Sequence, residues 1–157
     1  MTGFRRGVRL GIDVGRARVG VARCDPDGML AVPVETVRRD ERSVARIVEL
    51  AAEYEPLEIV VGLPINMQGS DTASTADARE VADAIARATA VPVRLVDERL
   101  STVSAHAALR ASGRRQRESR GIVDQVAAVV LLQQAIDTEK SAGSPAGSAL
   151  VLDEETP

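Results

Sequence analysis

Three short valine-rich segments follow one another near the N-terminus, before any helical pattern appears. They cover residues 8–13, 18–24 and 29–37, and they are separated by Gly15 and by the sequence CDPDG. β-Branched runs bounded by glycine, proline and aspartate are typical of strands joined by tight turns. These segments therefore predict an antiparallel meander.

Beyond residue 40 the pattern changes to helices that alternate with strands. Asp40 is a candidate cap for a first helix that Pro56 ends, and its apolar positions follow the helical period: Val44, Ile47, Val48 and Ala51. The continuous apolar run at 57–64 predicts a strand buried on both faces. A second helix is indicated by the spacing of Ala78, Val81, Ala82 and Ile85.

The remaining pattern adds one strand and two helices. The run VPVRLV at 91–96 predicts a strand, and Pro92 places it at a sheet edge or at the start of the strand. Ser101 is a candidate cap for a helix that stops near Gly113. The last helix, at 119–137, is apolar on most of its circumference and should be largely buried.

Three strands followed by alternating helices and strands predict an α/β fold. The order is that of the ribonuclease H-like fold, a five-stranded mixed sheet in the order 3-2-1-4-5 with helices on both faces. Residues 1–137 are expected to form this domain. Residues 138–157 are rich in serine, glycine, alanine and acid without periodicity, which predicts a disordered tail.

Composition excludes several classes of protein. No apolar run approaches the roughly 20 residues of a membrane span, and residues 1–7 lead directly into a strand pattern rather than a signal peptide. Cys24 is the only cysteine, which excludes an internal disulfide and a cysteine-based zinc site. We therefore expect a cytoplasmic protein that contacts no membrane. The net charge of −3 favours no polyanion partner overall, so local arginine clusters have to be considered instead.

Four carboxylates stand in apolar surroundings. Asp13 ends the first strand, Asp97 and Glu98 end the run at 91–96, and Asp124 lies in the last helix on a stripe with Ala127, Ala128 and Leu131. Each has an ordinary explanation as a turn former, an ion-pair partner or a helix-dipole charge. The predicted topology, however, brings the first strand, the last strand and the last helix to one region. Strand alternation places Asp97 and Glu98 on opposite faces and does not rank them.

Converging carboxylates without histidine ligands are what Mg²⁺ or Mn²⁺ prefers. Two such ions about 4 Å apart can activate a water and stabilise the leaving oxygen in phosphodiester cleavage. The chemistry predicted from these residues is metal-assisted hydrolysis of nucleic acid.

The segment at 110–120 contains five arginines against one glutamate, so it is either a solvated loop or a phosphate clamp. The loop at 62–70 precedes a helix N-terminus, where backbone N–H groups can hold a phosphate. Only Phe4 and Tyr54 are aromatic, which argues against a base-stacking platform. The candidate nucleic-acid-binding residues are Arg16, Arg18, Asn66, Arg99, Arg114, Arg115 and Arg117.

Four segments together resemble the YqgF/RuvX family, whose members are described as pre-16S rRNA nucleases and as Holliday junction resolvase-like proteins. Order and spacing match over residues 8–137, and the segments are GIDVGRARVGVA at 11–22, VVGLPINMQGS at 60–70, VDERLST at 96–102 and VDQVAAVVLLQQAID at 123–137. The resemblance implies a ribonuclease H-like, Mg²⁺-dependent cytoplasmic enzyme. It also implies a role in 5′-end maturation of the small-subunit ribosomal RNA precursor, with junction resolution in some members.

By this resemblance the catalytic and metal-binding residues are Asp13, Glu98 and Asp124. All three are among the acids that the physical argument selects, and the resemblance implies Glu98 where that argument leaves Asp97 and Glu98 open. Ala17 and Gln68 depart from the family, in which a lysine and an acidic residue are usual at these positions.

Three other functions remain as alternatives. The first is a Holliday junction resolvase acting on branched DNA. The second is an actin- or sugar-kinase-like ATPase, although those proteins enclose ATP between two such domains and this chain has room for one. The third is a non-catalytic nucleic-acid-binding module. Ribosomal particles are conceivable partners, and both a monomer and a homodimer are open.

Overall fold

The computed structural model describes residues 3–66, 68–98 and 120–152, with side chains from residue 125 onward in the last range. This part of the chain forms six strands and three helices. They are β1 (Arg9–Val14), β2 (Arg18–Cys24), β3 (Ala31–Arg38), α1 (Ser43–Tyr54), β4 (Glu58–Leu63), α2 (Ala73–Ala88), β5 (Val93–Asp97), α3 (Arg120–Ala142) and β6 (Ser148–Ala149). The helix predicted between Ser101 and Gly113 lies outside the described residues.

The strands form one mixed sheet in the order β3-β2-β1-β4-β5-β6. The meander β1–β2–β3 is antiparallel, β4 and β5 join it in parallel, and β6 is antiparallel to β5. The predicted order 3-2-1-4-5 is confirmed, and β6 adds a sixth strand.

Helices cover both faces of the sheet. On one face the strands pack against α1 and α2 in the larger hydrophobic core. The strand residues of this core include Leu10, Ile12, Val19, Val21, Ile59 and Val61. The opposite face packs against α3, and this smaller core includes Ala22, Cys24, Val60, Ala128 and Leu132. All six residues of β4 are buried, as its continuous apolar run predicts.

The start of α1 differs from the prediction that Asp40 caps it. The helix begins at Ser43, and the cap position Arg42 makes no side-chain capping hydrogen bond. The Asp40 carboxylate accepts from the backbone N–H of Arg42 at 2.8 Å, so it shapes the turn before the helix. The predicted stop at Pro56 is confirmed, because α1 ends at Tyr54.

The predicted disordered tail is wrong for residues 138–152. Helix α3 continues to Ala142, and the chain then returns to β5, where the Leu150 N–H donates to the Val93 carbonyl at 2.8 Å. What fixes this segment is backbone pairing and the ion pairs of Glu139, neither of which leaves an apolar periodicity in the sequence. Residues 153–157 lie outside the described part of the chain.

Buried charges join the N-terminal segment, the sheet and α3 at the end of the sheet where β1 begins. Glu139 accepts from Arg9 at 3.0 Å and from Arg5 at 2.7 Å, while Glu58 pairs with Arg5 and Arg94. Burial by itself would raise the pKa of Glu139, but the hydrogen bonds from Arg5 and the charges of Arg9 and Arg5 outweigh it and lower the pKa.

Helix α3 approaches β1 closely at Gly11. A Cβ there would lie 2.8 Å from the Leu132 Cβ and 3.1 Å from the Ala128 carbonyl oxygen. Gly11→Ala is therefore expected to destabilise the fold by about 1–3 kcal/mol, as overpacking in a tight core does. Urea unfolding measures this, and a change below about 0.5 kcal/mol would contradict the close packing.

Candidate active site

Asp13 and Glu98 meet on the sheet face that α3 covers. Asp13 stands opposite Gly20 in the β1–β2 ladder, on the same side as Gly11. Glu98 directly follows β5, and its N–H donates to the Leu63 carbonyl at 3.1 Å, which extends the β4–β5 ladder by one residue. The two carboxyl groups are hydrogen-bonded to each other.

Burial distinguishes Glu98 from its neighbour Asp97, which the sequence could not do. Glu98 is 7% exposed, whereas Asp97 is exposed at the surface. The acid that joins Asp13 is therefore Glu98.

The electrostatics of this pair are those of a site that holds a proton or a cation. Burial, the negative charge of Asp13, the hydrogen bond with Asp13 and the charge of Asp97, in that order of importance, together raise the pKa of Glu98 to about 9. Two carboxyl groups in contact cannot both ionise cheaply unless a positive charge lies between them. Oxygen ligands of this kind fit a hard divalent cation.

The third predicted acid, Asp124, lies within α3, but its side chain falls outside the described side chains. Among the residues that the structure describes, no group of three or more histidine, cysteine, aspartate or glutamate side chains is placed to hold a metal ion. A role for Asp124 as a third ligand stays a prediction.

Comparison with known proteins gives the family. Residues 7–138 match the family RuvX, described as Holliday junction resolvase. The chain belongs to the RuvX family.

Relatives of this RuvX chain bear the name "Putative pre-16S rRNA nuclease". One from Clavibacter michiganensis is 56% identical over 92% of both chains. One from Streptomyces coelicolor is 50% identical over 94% of this chain and 90% of its own. One from Thermobifida fusca is 51% identical over 92% of this chain and 96% of its own.

Solved structures agree with the fold. Thermus thermophilus RuvC, in complex with a Holliday junction substrate, superposes with a TM-score of 0.58 at 17% identity. The comparison covers 91% of this chain and 99% of that one. A second structure of the same RuvC superposes with a TM-score of 0.57 at 18% identity. At this identity the likeness concerns the fold, and it confirms the ribonuclease H-like prediction. Within the described residues, no helix is long and apolar enough to cross a membrane.

The predicted nucleic-acid contacts of this RuvX chain are described only in part. Arg16 is exposed in the β1–β2 turn, and Arg18 is the first residue of β2. Asn66 has a structural role in its loop, because its side-chain oxygen accepts from the backbone N–H groups of Gln68 at 3.0 Å and Ser70 at 2.9 Å. The others lie outside the described residues: Arg99, Arg114, Arg115 and Arg117.

Sequence reasoning missed Arg38. It stands directly opposite Arg18 in the β2–β3 ladder, two residues beyond the row that contains Thr36 and Gly20. Thr36 accepts from Gln125 of α3 at 2.7 Å, which identifies this row as part of the α3 face. Two arginines directly opposite each other destabilise a sheet unless an anion lies near. The Arg18–Arg38 pair follows from the register between β2 and β3, which the sequence alone does not give.

Sequence reasoning also missed Arg39, which fixes the β1–β2 turn. Its guanidinium donates to the Gly15 carbonyl at 2.9 Å and to the Asp77 carboxylate at 2.7 and 2.9 Å. The hydrogen bond from Arg39 lowers the pKa of Asp77. This contact joins the turn that follows Asp13 to the first turns of α2.

Proposed function

We propose that this RuvX chain is a metal-dependent endonuclease that hydrolyses nucleic-acid phosphodiester bonds, in the 5′-end processing of pre-16S ribosomal RNA. The observation that carries the proposal is the hydrogen bond between Asp13 and the buried Glu98 at the end of the central strands. The names of the relatives support the choice of substrate. We place the activity in the cytoplasm, consistent with a buried, unpaired Cys24.

The residues present fit Mg²⁺ or Mn²⁺. Asp13 and Glu98 would hold the cation, with Asp124 as the third ligand. Asp124 precedes Ala128 by four residues and Leu131 by seven in α3, so the helical period places the three positions on one stripe. Leu131 and Glu98 both border Gly62, which supports this assignment. Two bound cations would supply an activated water and a charge to stabilise the leaving oxygen.

The chain itself contributes orientation and burial. Glu98 is held by the ladder hydrogen bond to Leu63 on one side and by Asp13 on the other. Arg39 holds the turn beyond Asp13 against α2, so the strand end has little freedom to move. A site fixed in this way loses little free energy to reorganisation when charge develops on the phosphate.

Arginines on the same face would position the phosphate backbone. We assign Arg16 and Arg18, together with Arg38, to one side of the cleavage site. Successive residues rise about 3.3 Å along a strand, so the Arg18–Arg38 row lies about 7 Å from the row of Asp13. We also assign Arg99, Arg114, Arg115 and Arg117 to this phosphate clamp.

Arg18→Gln combined with Arg38→Gln is expected to weaken binding of all sequences alike. The slope of log K against log salt should fall by about 0.9 for each lost duplex phosphate contact, or about 0.7 for single strands. Fluorescence anisotropy over a salt series measures the slope. Arg46→Gln serves as the control, because Arg46 is paired with Glu35 of β3 and Glu49 of α1. An unchanged slope in the double variant would rule out this phosphate contact.

The substrate is tested with wild-type protein on two labelled nucleic acids, a precursor RNA that carries the 16S 5′ end and a four-way DNA junction. We expect Mg²⁺-dependent cleavage of the RNA that stops with chelator and resumes when Mg²⁺ is restored. The family description and the RuvC fold favour the junction as the second candidate. Cleavage of the junction alone would establish that alternative, and binding without product would establish the non-catalytic module.

Ribosomal particles are proposed as the carriers of the precursor, and both a monomer and a homodimer stay open. The ATPase alternative predicts tight ATP binding in calorimetry, and family membership makes it the weakest of the candidates.

A further inference from the structure

We propose that Gly62 is a positioning residue, whose missing side chain forms the slot in which the Glu98 carboxylate is held against Asp13. This inference rests on the proposed function, since it concerns how the cation ligand is placed. Gly62 belongs to β4 and has no side chain with which to bind a substrate or a cation.

The geometry around Gly62 is that of a filled slot. A Cβ built on Gly62 would overlap the Glu98 Oε2, and it would lie 2.9 Å from the Leu131 Cδ2 and 3.2 Å from the Glu98 Cβ. The φ angle of Gly62 is not positive, so any residue could adopt its backbone conformation. The requirement for glycine at this position is therefore one of space.

The two neighbours of Gly62 differ in how they can respond to an added methyl group. Leu131 is fully buried in the packing of α3, and moving it would disturb a close-packed core. The Glu98 carboxylate is the free end of a side chain with several rotatable bonds. The carboxylate is thus the group that moves, which takes it out of the position that it holds beside Asp13.

That movement should affect cation binding more than it affects the stability of the fold. In the metal-free protein the movement costs only the hydrogen bond between the Glu98 and Asp13 carboxyl groups. In the cation-bound protein the same movement removes a ligand from its place. Gly62→Ala should therefore weaken cation binding with little change in unfolding temperature, whereas a merely structural glycine would show the reverse.

Gly28 offers a matched control for a structural glycine. It lies in the β2–β3 turn, at the opposite end of the sheet from Asp13, and has a φ of 63°. A Cβ on Gly28 would lie 2.9 Å from Ile136 and would also crowd Phe4. Gly28→Ala should lower the unfolding temperature and leave cation binding by the folded protein unchanged.

The experiment is a calorimetric titration of full-length protein with Mn²⁺, in wild type, Gly62→Ala, Glu98→Gln, the double variant and Gly28→Ala. Thermal unfolding in chelator is measured alongside. We expect Gly62→Ala to weaken Mn²⁺ binding by about tenfold or more, as displacement of a ligand support does. The double variant should bind no more weakly than Glu98→Gln alone, because both changes act through the same carboxylate.

Wild-type affinity in Gly62→Ala would overturn the inference and leave the proposed function standing. A further loss in the double variant, beyond that of Glu98→Gln, would also overturn it, because Gly62 would then act independently of Glu98. Absence of Mn²⁺ binding in the wild type would overturn the inference and the metal-dependent function together.

Discussion

Glu98→Gln is expected to abolish cleavage while leaving the metal-free protein at least as stable as wild type. Glutamine keeps the size of the side chain and can still hydrogen-bond to Asp13, but it cannot supply a negative charge to a cation. A metal ion contributes several kcal/mol to the transition state. Losing it corresponds to a rate loss of about a hundredfold or more. Cleavage assays in excess Mg²⁺ measure this loss.

The stability half of the prediction follows from the direction of the Glu98 pKa. Burial and the charge of Asp13 raise the pKa from 4.5 to about 9 in the folded protein. The folded state therefore holds a proton that the unfolded state releases, and the resulting stability is fully present below about pH 4.5. It is lost progressively as the pH rises to about 9.

In chelator, the unfolding temperature of Glu98→Gln relative to wild type should therefore rise as the pH increases from about 5 to about 9. Circular dichroism at a series of pH values measures the difference. Glu41→Gln serves as the control, because Glu41 is exposed before α1, and its profile should run parallel to wild type. Parallel profiles for wild type and Glu98→Gln would contradict the burial of the Glu98 carboxyl group beside Asp13.

Glu139→Ala is expected to cause the largest loss of stability. Its carboxylate pairs with Arg9, which is 2% exposed, and with Arg5. Removing one partner leaves a buried guanidinium uncompensated, which costs about 3–5 kcal/mol. At about 2–4 °C for each kcal/mol in a chain of this size, the unfolding temperature should fall by about 10 °C.

Glu49→Ala is the matched control for this change. Glu49 also pairs with an arginine, Arg46, but its side chain is 67% exposed. Solvent screens such a pair, so its loss should change stability by less than about 1 kcal/mol. Equal effects of Glu139→Ala and Glu49→Ala in urea unfolding would contradict the buried ion cluster.

The strands could be predicted from the sequence because valine-rich runs mark the strands and turn residues mark their ends. Their order in the sheet followed from the succession of strands and helices, which is that of the ribonuclease H-like fold. Asp13 and the two adjacent acids Asp97 and Glu98 could also be selected, since a carboxylate at the end of a buried strand needs a partner. The choice between Asp97 and Glu98 could not be made in this way. It depends on the ladder hydrogen bond between Glu98 and Leu63, which continues the sheet by one residue and leaves Asp97 exposed.

Features that depend on contacts between residues far apart in the sequence could not be predicted from local sequence patterns. The Arg18–Arg38 pair exists only because of the register between β2 and β3. The extension of α3 beyond residue 137 depends on Glu139 meeting Arg5 from the other end of the chain. Charged partners of this kind produce no periodic pattern in the sequence. Residues 138–152 therefore have the composition of a disordered tail, although they are part of the packed structure.

The central claim is that Asp13, together with Glu98, holds the cation that makes cleavage possible. The most direct test is cleavage of the precursor RNA by wild type and Asp13→Asn side by side in excess Mg²⁺, with circular dichroism to verify that both are folded. We expect product from wild type alone, with the variant reduced by about a hundredfold or more. Full activity in folded Asp13→Asn would contradict the claim.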